Sequence, residues 1–178
     1  MSGWTVPVGW LARGRDGAAM VVQIDRVVTV DREVLGALER AGQQTTTLLD
    51  RFSNPLPATI DAGGWDVRHL LSHLIGAWQR LPAHSAFFLA DENIMVPMQT
   101  DHSYWTAEWA TAPIEAFSLA LEAAYAGNVI MLQRVDAEAL GRSRRTPFGE
   151  MTLRQLLMLS YERHLAGDHL VQLAAFLP

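Results

Sequence analysis

The segment "GGWDVRHLLSHLIGAWQRL", residues 63–81, decides the fold, because its apolar residues recur at helical spacing between polar ones. Its start is also marked. Asp66 is placed to accept hydrogen bonds as the N-cap, and Trp65 can pack against Leu70 as a hydrophobic staple. We expect Pro82 to kink or end the helix, since proline removes a backbone donor. The segment predicts a long amphipathic helix.

Three further segments show the same periodicity and predict three more helices. They are "VDREVLGALERAGQQTTTLLDRFS" (residues 30–53), "PIEAFSLALEAAYAGNVIMLQRV" (residues 113–135) and "LRQLLMLSYERHLAGDHLVQLAAF" (residues 153–176). Thr152 and Gln155 precede and open the last of them with the pattern of a capping box. The loop before it, "GRSRRTPFGE", is rich in turn residues.

The arrangement of these segments predicts an all-α fold, a four-helix bundle with a long connection between helices 2 and 3. That connection is residues 91–112, which lack helical periodicity but contain several aromatic residues. Residues 1–30 differ in composition and predict an extended N-terminal arm or a short strand. Residues 31–178 then form the bundle. Bundles of this kind place metal and ligand sites between facing helices.

Composition limits the possible functions. The 178 residues are 49% hydrophobic and 19% charged, which is enough apolar material for the core of one globular domain. The chain has no cysteine. Disulfides, thiolate metal ligands and a cysteine nucleophile are therefore excluded, and a transition-metal site would have to use His, Asp or Glu.

The net charge of −5 gives no electrostatic reason to expect nucleic acid as a partner. Arg142, Arg144 and Arg145 form one local basic cluster, which fits either a solvated loop or a site for an anionic ligand. No apolar run reaches the roughly 20 residues that span a bilayer, and the N-terminus does not have the pattern of a secretory signal. We expect a soluble, cytoplasmic protein without membrane contacts.

The stretch "SYERHLAGDHLVQL", residues 160–173, places possible metal ligands on the last predicted helix. Residues four apart, such as His164 and Asp168, lie about 40° apart on a regular helix, whereas His164 and His169, five apart, diverge by about 140°. A π-turn near Gly167 would instead bring the two histidines onto one face. His73, on the second helix, is the best candidate for a third ligand.

Spacing alone leaves this metal site no more favoured than a buried polar network. His69 lies off the apolar stripe of its helix and is expected to face solvent, and His84 and His102 are expected to be surface residues. Tyr161 and Glu162 precede His164 closely and are candidates for a catalytic acid or base, or for partners of a ligand. The sequence favours an ordinary role for both, with Tyr161 at the edge of the core and Glu162 on a solvated face.

Two segments together resemble the DinB/YfiT-like superfamily, to which the mycothiol-dependent maleylpyruvate isomerases belong. "GWDVRHLLSHL" (residues 64–74) is similar to its second-helix signature, and "TPFGEMTLRQLLMLSYERHLAGDHLVQL" (residues 146–173) to its loop and last helix. The resemblance implies a four-helix bundle that is often dimeric. It also implies a divalent metal held by His73 and by a pair from the last helix, with His169 as the final ligand and Gln172 ending the motif.

The last helix departs from the family pattern, which is His-x-x-x-His or Glu-x-x-x-His. Leu165 stands four residues before His169 and cannot bind a metal, and His164 is one place too early. Three explanations are open. A π-turn absorbs one extra residue, the pair shifts to His164 and Asp168, or the site is degenerate and binds no metal.

The resemblance implies a divalent-metal-dependent enzyme, similar to the family's thiol S-transferases and isomerases, that acts on a small molecule as a homodimer. Zinc and nickel both suit imidazole and carboxylate ligands. A low-molecular-weight thiol cosubstrate would have to come from outside, because the chain has no cysteine. Hydrolysis of a small electrophile is a related possibility. The alternative is a non-catalytic bundle with a degenerate metal site, which binds a small apolar ligand or serves as a dimeric interaction module.

Overall fold

The computed structural model describes residues 31–90, 95–98 and 105–177. The predicted N-terminal arm, residues 1–30, lies outside the described residues, and so does His102. The described part of the chain is mostly helical and forms the predicted four-helix bundle, with one short β-hairpin beside it.

The helices in chain order are α1 (Arg32–Leu49), α2 (Val67–Leu89), α3 (Ile114–Leu132), α4 (Ala137–Gly141), α5 (Leu153–Met158) and α6 (Leu170–Ala174). A single 3₁₀ turn, Trp109–Thr111, precedes α3. A π-helical segment, Leu159–His169, joins α5 to α6 without a break. We refer to α5, this segment and α6 together as the last helix.

The four long helices surround one apolar core. Helix α2 packs against α3, and α1 packs against both α3 and the last helix. Leu38, Phe88, Phe117 and Leu156, one from each of the four long helices, are completely buried in this core. The packing also brings one face of α2 against the π-helical segment, and the candidate site forms there.

Among the helices in the described ranges, none combines the length and the apolar character that crossing a bilayer requires.

Helix α2 begins as predicted but does not end at its proline. Asp66 is the N-cap, and its side chain accepts a hydrogen bond from the backbone N–H of His69 at 2.7 Å. The helix continues through Pro82, which cannot donate to the carbonyl of Trp78 four residues earlier. Asn128 of α3 replaces that lost donor, with its side-chain Nδ2 3.0 Å from the Trp78 oxygen. A tertiary hydrogen bond therefore helps the helix to continue past Pro82.

Asn128 is the centre of a buried polar network that links three helices. Its Nδ2 also donates to the carbonyl of Ala124 at 2.8 Å, and its Oδ1 accepts from the hydroxyl of Tyr161 at 2.9 Å. Both Asn128 and Tyr161 have no exposed surface. The network satisfies these polar groups in the core, where an unpaired one would be costly.

The segment between α3 and the last helix contains α4, and the loop predicted after it forms a two-stranded antiparallel hairpin. Strand β1 is Ser143–Thr146 and strand β2 is Gly149–Thr152. Gly149 has a φ of 107°, a conformation that residues with a side chain rarely adopt. The last helix then starts with the predicted capping box between Thr152 and Gln155.

Two residues of the arginine cluster cap the C-terminus of α2. The Arg144 guanidinium donates to the carbonyls of Phe87 and Ala90, and the Arg142 guanidinium donates to the carbonyl of Leu89. Carbonyls at a helix C-terminus lack partners within the helix and carry partial negative charge, which a cation stabilises. The third arginine of the cluster is exposed. The cluster is therefore mainly structural.

Candidate metal centre

The last helix absorbs its extra residue in a π-helical segment, Leu159–His169, which is longer than the single turn predicted near Gly167. The backbone N–H of Leu170 donates to the carbonyl of Leu165, five residues earlier. Both leucines are buried, so the core face advances by five residues at this point. A Cβ atom at Gly167 would lie 3.3 Å from the Glu162 carbonyl oxygen, a tight contact that glycine avoids.

This geometry brings His164 and His169 together and turns both toward His73 of α2. Ligand nitrogens of the three rings lie within 4.8 Å of one another, and all three side chains are half-buried. Nε2 of His73 is 3.2 Å from Nε2 of His164. The ring centroids are 5.3 Å apart for His73 and His164, 4.8 Å for His73 and His169, and 4.5 Å for His164 and His169.

Burial keeps the imidazole of His164 uncharged. Desolvation lowers its pKa to about 4, and the proximity of His169 adds to that effect. Asp168 acts in the opposite direction but does not outweigh them. A neutral imidazole has a lone pair on one ring nitrogen and is the form that binds metals.

The outer nitrogen of His169 has a hydrogen-bond partner on the same helix. His169 Nδ1 is 2.9 Å from the side-chain oxygen Oε1 of Gln172. The amide nitrogen of Gln172 in turn donates to the carboxylate of Asp61, in the loop before α2. Gln172 thereby connects His169, on the last helix, to the loop that leads into α2, the helix that carries His73.

Trp65 packs beside two of the three histidines. Its ring is stacked on that of His169, with centroids 5.9 Å apart and an interplanar angle of 12°, and it meets His73 edge-on at 5.0 Å. Both contacts limit the rotation of the histidine rings and cover one side of the group with apolar surface.

The other predicted site residues lie outside this group. Asp168 is exposed and is not part of the histidine cluster. Glu162 is exposed and forms an ion pair with Arg40 at 2.6 Å. Tyr161 is completely buried, its hydroxyl is hydrogen-bonded to Asn128, and burial raises its pKa. The acid–base roles of Tyr161 and Glu162 stay predictions, and neither position favours them.

The other two described histidines are also outside the group. The prediction that His69 faces solvent is wrong, because its half-buried ring is stacked on Trp105 at 3.7 Å between centroids and also on Trp65 at 6.2 Å. His84 is only partly exposed, and burial together with the charge of Arg80 lowers its pKa.

Sequence reasoning did not identify Asp61 as a neighbour of the site, or Trp105 as the ring that stacks on His69. The pattern Asp-x-Gly at Asp61 is a turn signal, and the Asp61 side chain does accept from the N–H of Gly63 at 2.8 Å. That signal is local. It gives no information about contact with Gln172, which is 111 residues away.

No protein-family model matches this sequence, and a search of curated proteins found no match. The fold is similar to that of YfiT from Bacillus subtilis, a probable metal-dependent hydrolase with an unusual four-helix bundle topology. The two structures superpose with a TM-score of 0.65 and 17% sequence identity, over 86% of this chain and 93% of YfiT. The predicted resemblance is thus confirmed at the level of the fold.

Proposed function

We propose that this protein is a divalent-metal-dependent enzyme that acts on a small molecule. The observation that carries the proposal is the convergence of His73, His164 and His169, from two helices, within 4.8 Å. Three histidines are a known ligand set for catalytic zinc, in which a fourth position stays open for water or substrate.

The donor set fits zinc or nickel. Two nitrogens at 2.0–2.1 Å from a tetrahedral zinc ion are about 3.3 Å apart, and His73 and His164 already approach that separation at 3.2 Å. Imidazole nitrogens suit both metals, whereas magnesium and calcium prefer oxygen ligands. His164 is neutral and does not have to lose a proton before it binds.

A bound ion would act as a Lewis acid and lower the pKa of a water or thiol at its open position. The chain itself holds the histidines in place: Trp65 packs on His169 and His73, and Gln172 fixes the outer nitrogen of His169. These contacts leave available, as ligands, the ring nitrogens of the three histidines that face one another.

We favour a thiol-dependent transferase or isomerase reaction, with the thiol supplied as a low-molecular-weight cosubstrate. A thiol has an ordinary pKa of about 8.5 and is deprotonated by metal binding without a separate base. Among the described residues, Glu162 and Asp168 are the carboxylates nearest in sequence to His164 and His169, and both are exposed. The Tyr161 hydroxyl is hydrogen-bonded to Asn128. Neither kind of group is therefore well placed to act as a separate base. Hydrolysis is the second candidate, favoured by the likeness to YfiT.

Protein purified without an affinity tag tests this proposal. After the metal is removed and zinc or nickel is supplied, we expect about one equivalent per chain, and less than about a tenth would contradict the proposal. His73→Ala should abolish this uptake, whereas His84→Ala, on the same helix but outside the group, should leave it unchanged. Turnover of small electrophiles with and without an added thiol then separates transfer from hydrolysis.

The competing proposal is a non-catalytic bundle that binds a small apolar ligand or acts as a dimeric module. It predicts that the protein retains neither zinc nor nickel, and that substitution of His73, His164 or His169 does not change ligand binding. The cytoplasmic location, the homodimer and the lack of affinity for nucleic acid stay part of our proposal, and light scattering would decide the oligomeric state.

A further inference from the structure

The side chain of Gln172 bridges His169 and Asp61. Its Oε1 lies 2.9 Å from Nδ1 of His169, and its Nε2 donates to Oδ2 of Asp61. All three side chains are partly buried. The bridge connects the last helix to the loop that leads into α2.

The chemistry of the three groups sets the direction of both hydrogen bonds. An ionised carboxylate only accepts hydrogen bonds, so the amide of Gln172 must turn its NH₂ group toward Asp61. Its oxygen is then the atom that faces His169, and an oxygen of this kind only accepts. Nδ1 of His169 must therefore carry the proton, and the lone pair is left on Nε2.

Asp61 is itself held firmly. Its Oδ1 accepts from the backbone N–H groups of Gly63 at 2.8 Å and Trp65 at 2.9 Å, and its own N–H donates to the carbonyl of Trp65 at 2.8 Å. Gly64, with a φ of 83°, allows the chain to turn there. The hydrogen bond from Gln172 and those from the backbone lower the pKa of Asp61, so it is a carboxylate at neutral pH.

We propose that Asp61 and Gln172 are positioning residues that fix the tautomer of His169, so that its Nε2 is always the atom presented to the metal. The part that concerns the metal rests on the proposed function, whereas the part that concerns the tautomer is a property of the protein without metal. Partners of this kind are known to orient ligand histidines and to influence metal affinity.

Asp61→Asn tests the proposal by reversing the bridge. The new amide oxygen has to stay with the two backbone N–H groups, so the amide nitrogen takes the place of Oδ2 and becomes a donor. Gln172 must then rotate, and its NH₂ group faces His169. We expect the proton of His169 to move to Nε2 and zinc affinity to fall about 10–100-fold.

The double variant D61N/Q172E restores the original pattern with the same net charge. The carboxylate at position 172 would accept from both the new amide and His169 Nδ1. We expect the tautomer and the zinc affinity to return to those of the original protein. Asp50→Asn, the same change at an exposed position at the end of α1, is the matched control and should alter neither.

Two measurements are needed. Nitrogen NMR of the histidine rings in metal-free protein, at about pH 8 where an ordinary imidazole is neutral, identifies the protonated nitrogen of His169. Competition with a chelator gives the zinc affinity. Circular dichroism melting checks that Asp61→Asn is folded, and the double variant keeps the test valid if the single variant is not.

An unchanged His169 tautomer in folded Asp61→Asn would overturn the proposal, and so would a double variant that does not restore the tautomer. If the original protein binds no zinc, the proposed function fails, but the NMR comparison still decides the positioning role. If zinc binds and Asp61→Asn changes the tautomer without changing the affinity, the role in metal binding is overturned.

Discussion

Replacement of Asn128 by leucine should destabilise the fold strongly, although the two side chains are similar in size. The change removes the donor to the Trp78 carbonyl and the acceptor for the Tyr161 hydroxyl, and both groups are in the core. Each buried polar group left without a partner costs about 1–3 kcal/mol, so the expected loss in the free energy of unfolding is about 2–6 kcal/mol. Urea unfolding followed by circular dichroism measures it.

A second substitution tests the reason for this loss. Pro82→Ala supplies the backbone N–H that the Trp78 carbonyl lacks, because residue 82 then donates four residues back along α2. In that background Asn128→Leu should cost about 1–3 kcal/mol less, since one of the two groups has recovered a partner. Tyr161→Phe should reduce the cost in the same way by removing the other group.

Two results would refute this reasoning. One is a cost of less than about 1 kcal/mol for Asn128→Leu alone, which would mean that water or a rearranged helix satisfies the network. The other is an equal cost with and without Pro82, which would mean that Asn128 does not compensate for the proline. The slope of the unfolding free energy against urea should stay the same, so that the comparison concerns stability alone.

Four further predictions concern α1 and the last helix. Gly42→Ala should lower the free energy of unfolding by about 1–3 kcal/mol, because the new methyl group would lie 2.7 Å from an aromatic ring atom of α3. Gly36→Ala, which meets only the tip of a flexible arginine, should raise it by about 0.5–1 kcal/mol, and a loss there would contradict us. Deletion of Gly167 should convert the π-helical segment to α-helix and preserve zinc binding. The reason is that the spacing from His164 to His169 and the spacing from Leu165 to Leu170 would both fall from five residues to four. Loss of zinc binding would show that the π geometry is itself required. Asp168→Ala should bind zinc as the original protein does, and His169→Ala should not, as a chelator competition would show; the reverse would establish the shifted pair.

The helices could be predicted from the sequence because their cause is local. Apolar periodicity and the caps at Asp66 and Thr152 depend on residues within one or two turns. The continuation of α2 past Pro82 could not be predicted from the sequence, because Asn128, which supplies the missing donor, is 46 residues further along the chain. The capping of α2 by Arg144 is a contact of the same long-range kind.

The candidate site was only partly predictable. The five-residue step from His164 to His169 allowed three readings, and the histidines alone did not choose among them. The neighbouring step from Leu165 to Leu170 has the same length, and both leucines are buried. Because the buried leucines and the histidines have the same five-residue spacing, the helix contains one extra residue that displaces both faces together. If His164 and Asp168 were the ligands, the buried leucines would be expected to lie three or four residues apart.

A crystal structure of zinc-loaded protein, with anomalous scattering recorded at the zinc edge, tests the central claim most directly. We predict one ion, bound by nitrogens of His73, His164 and His169 at about 2.0–2.1 Å, with the π-helical segment intact. An oxygen of Asp168 in place of His169, or a three-histidine group with no ion under zinc saturation, would contradict it.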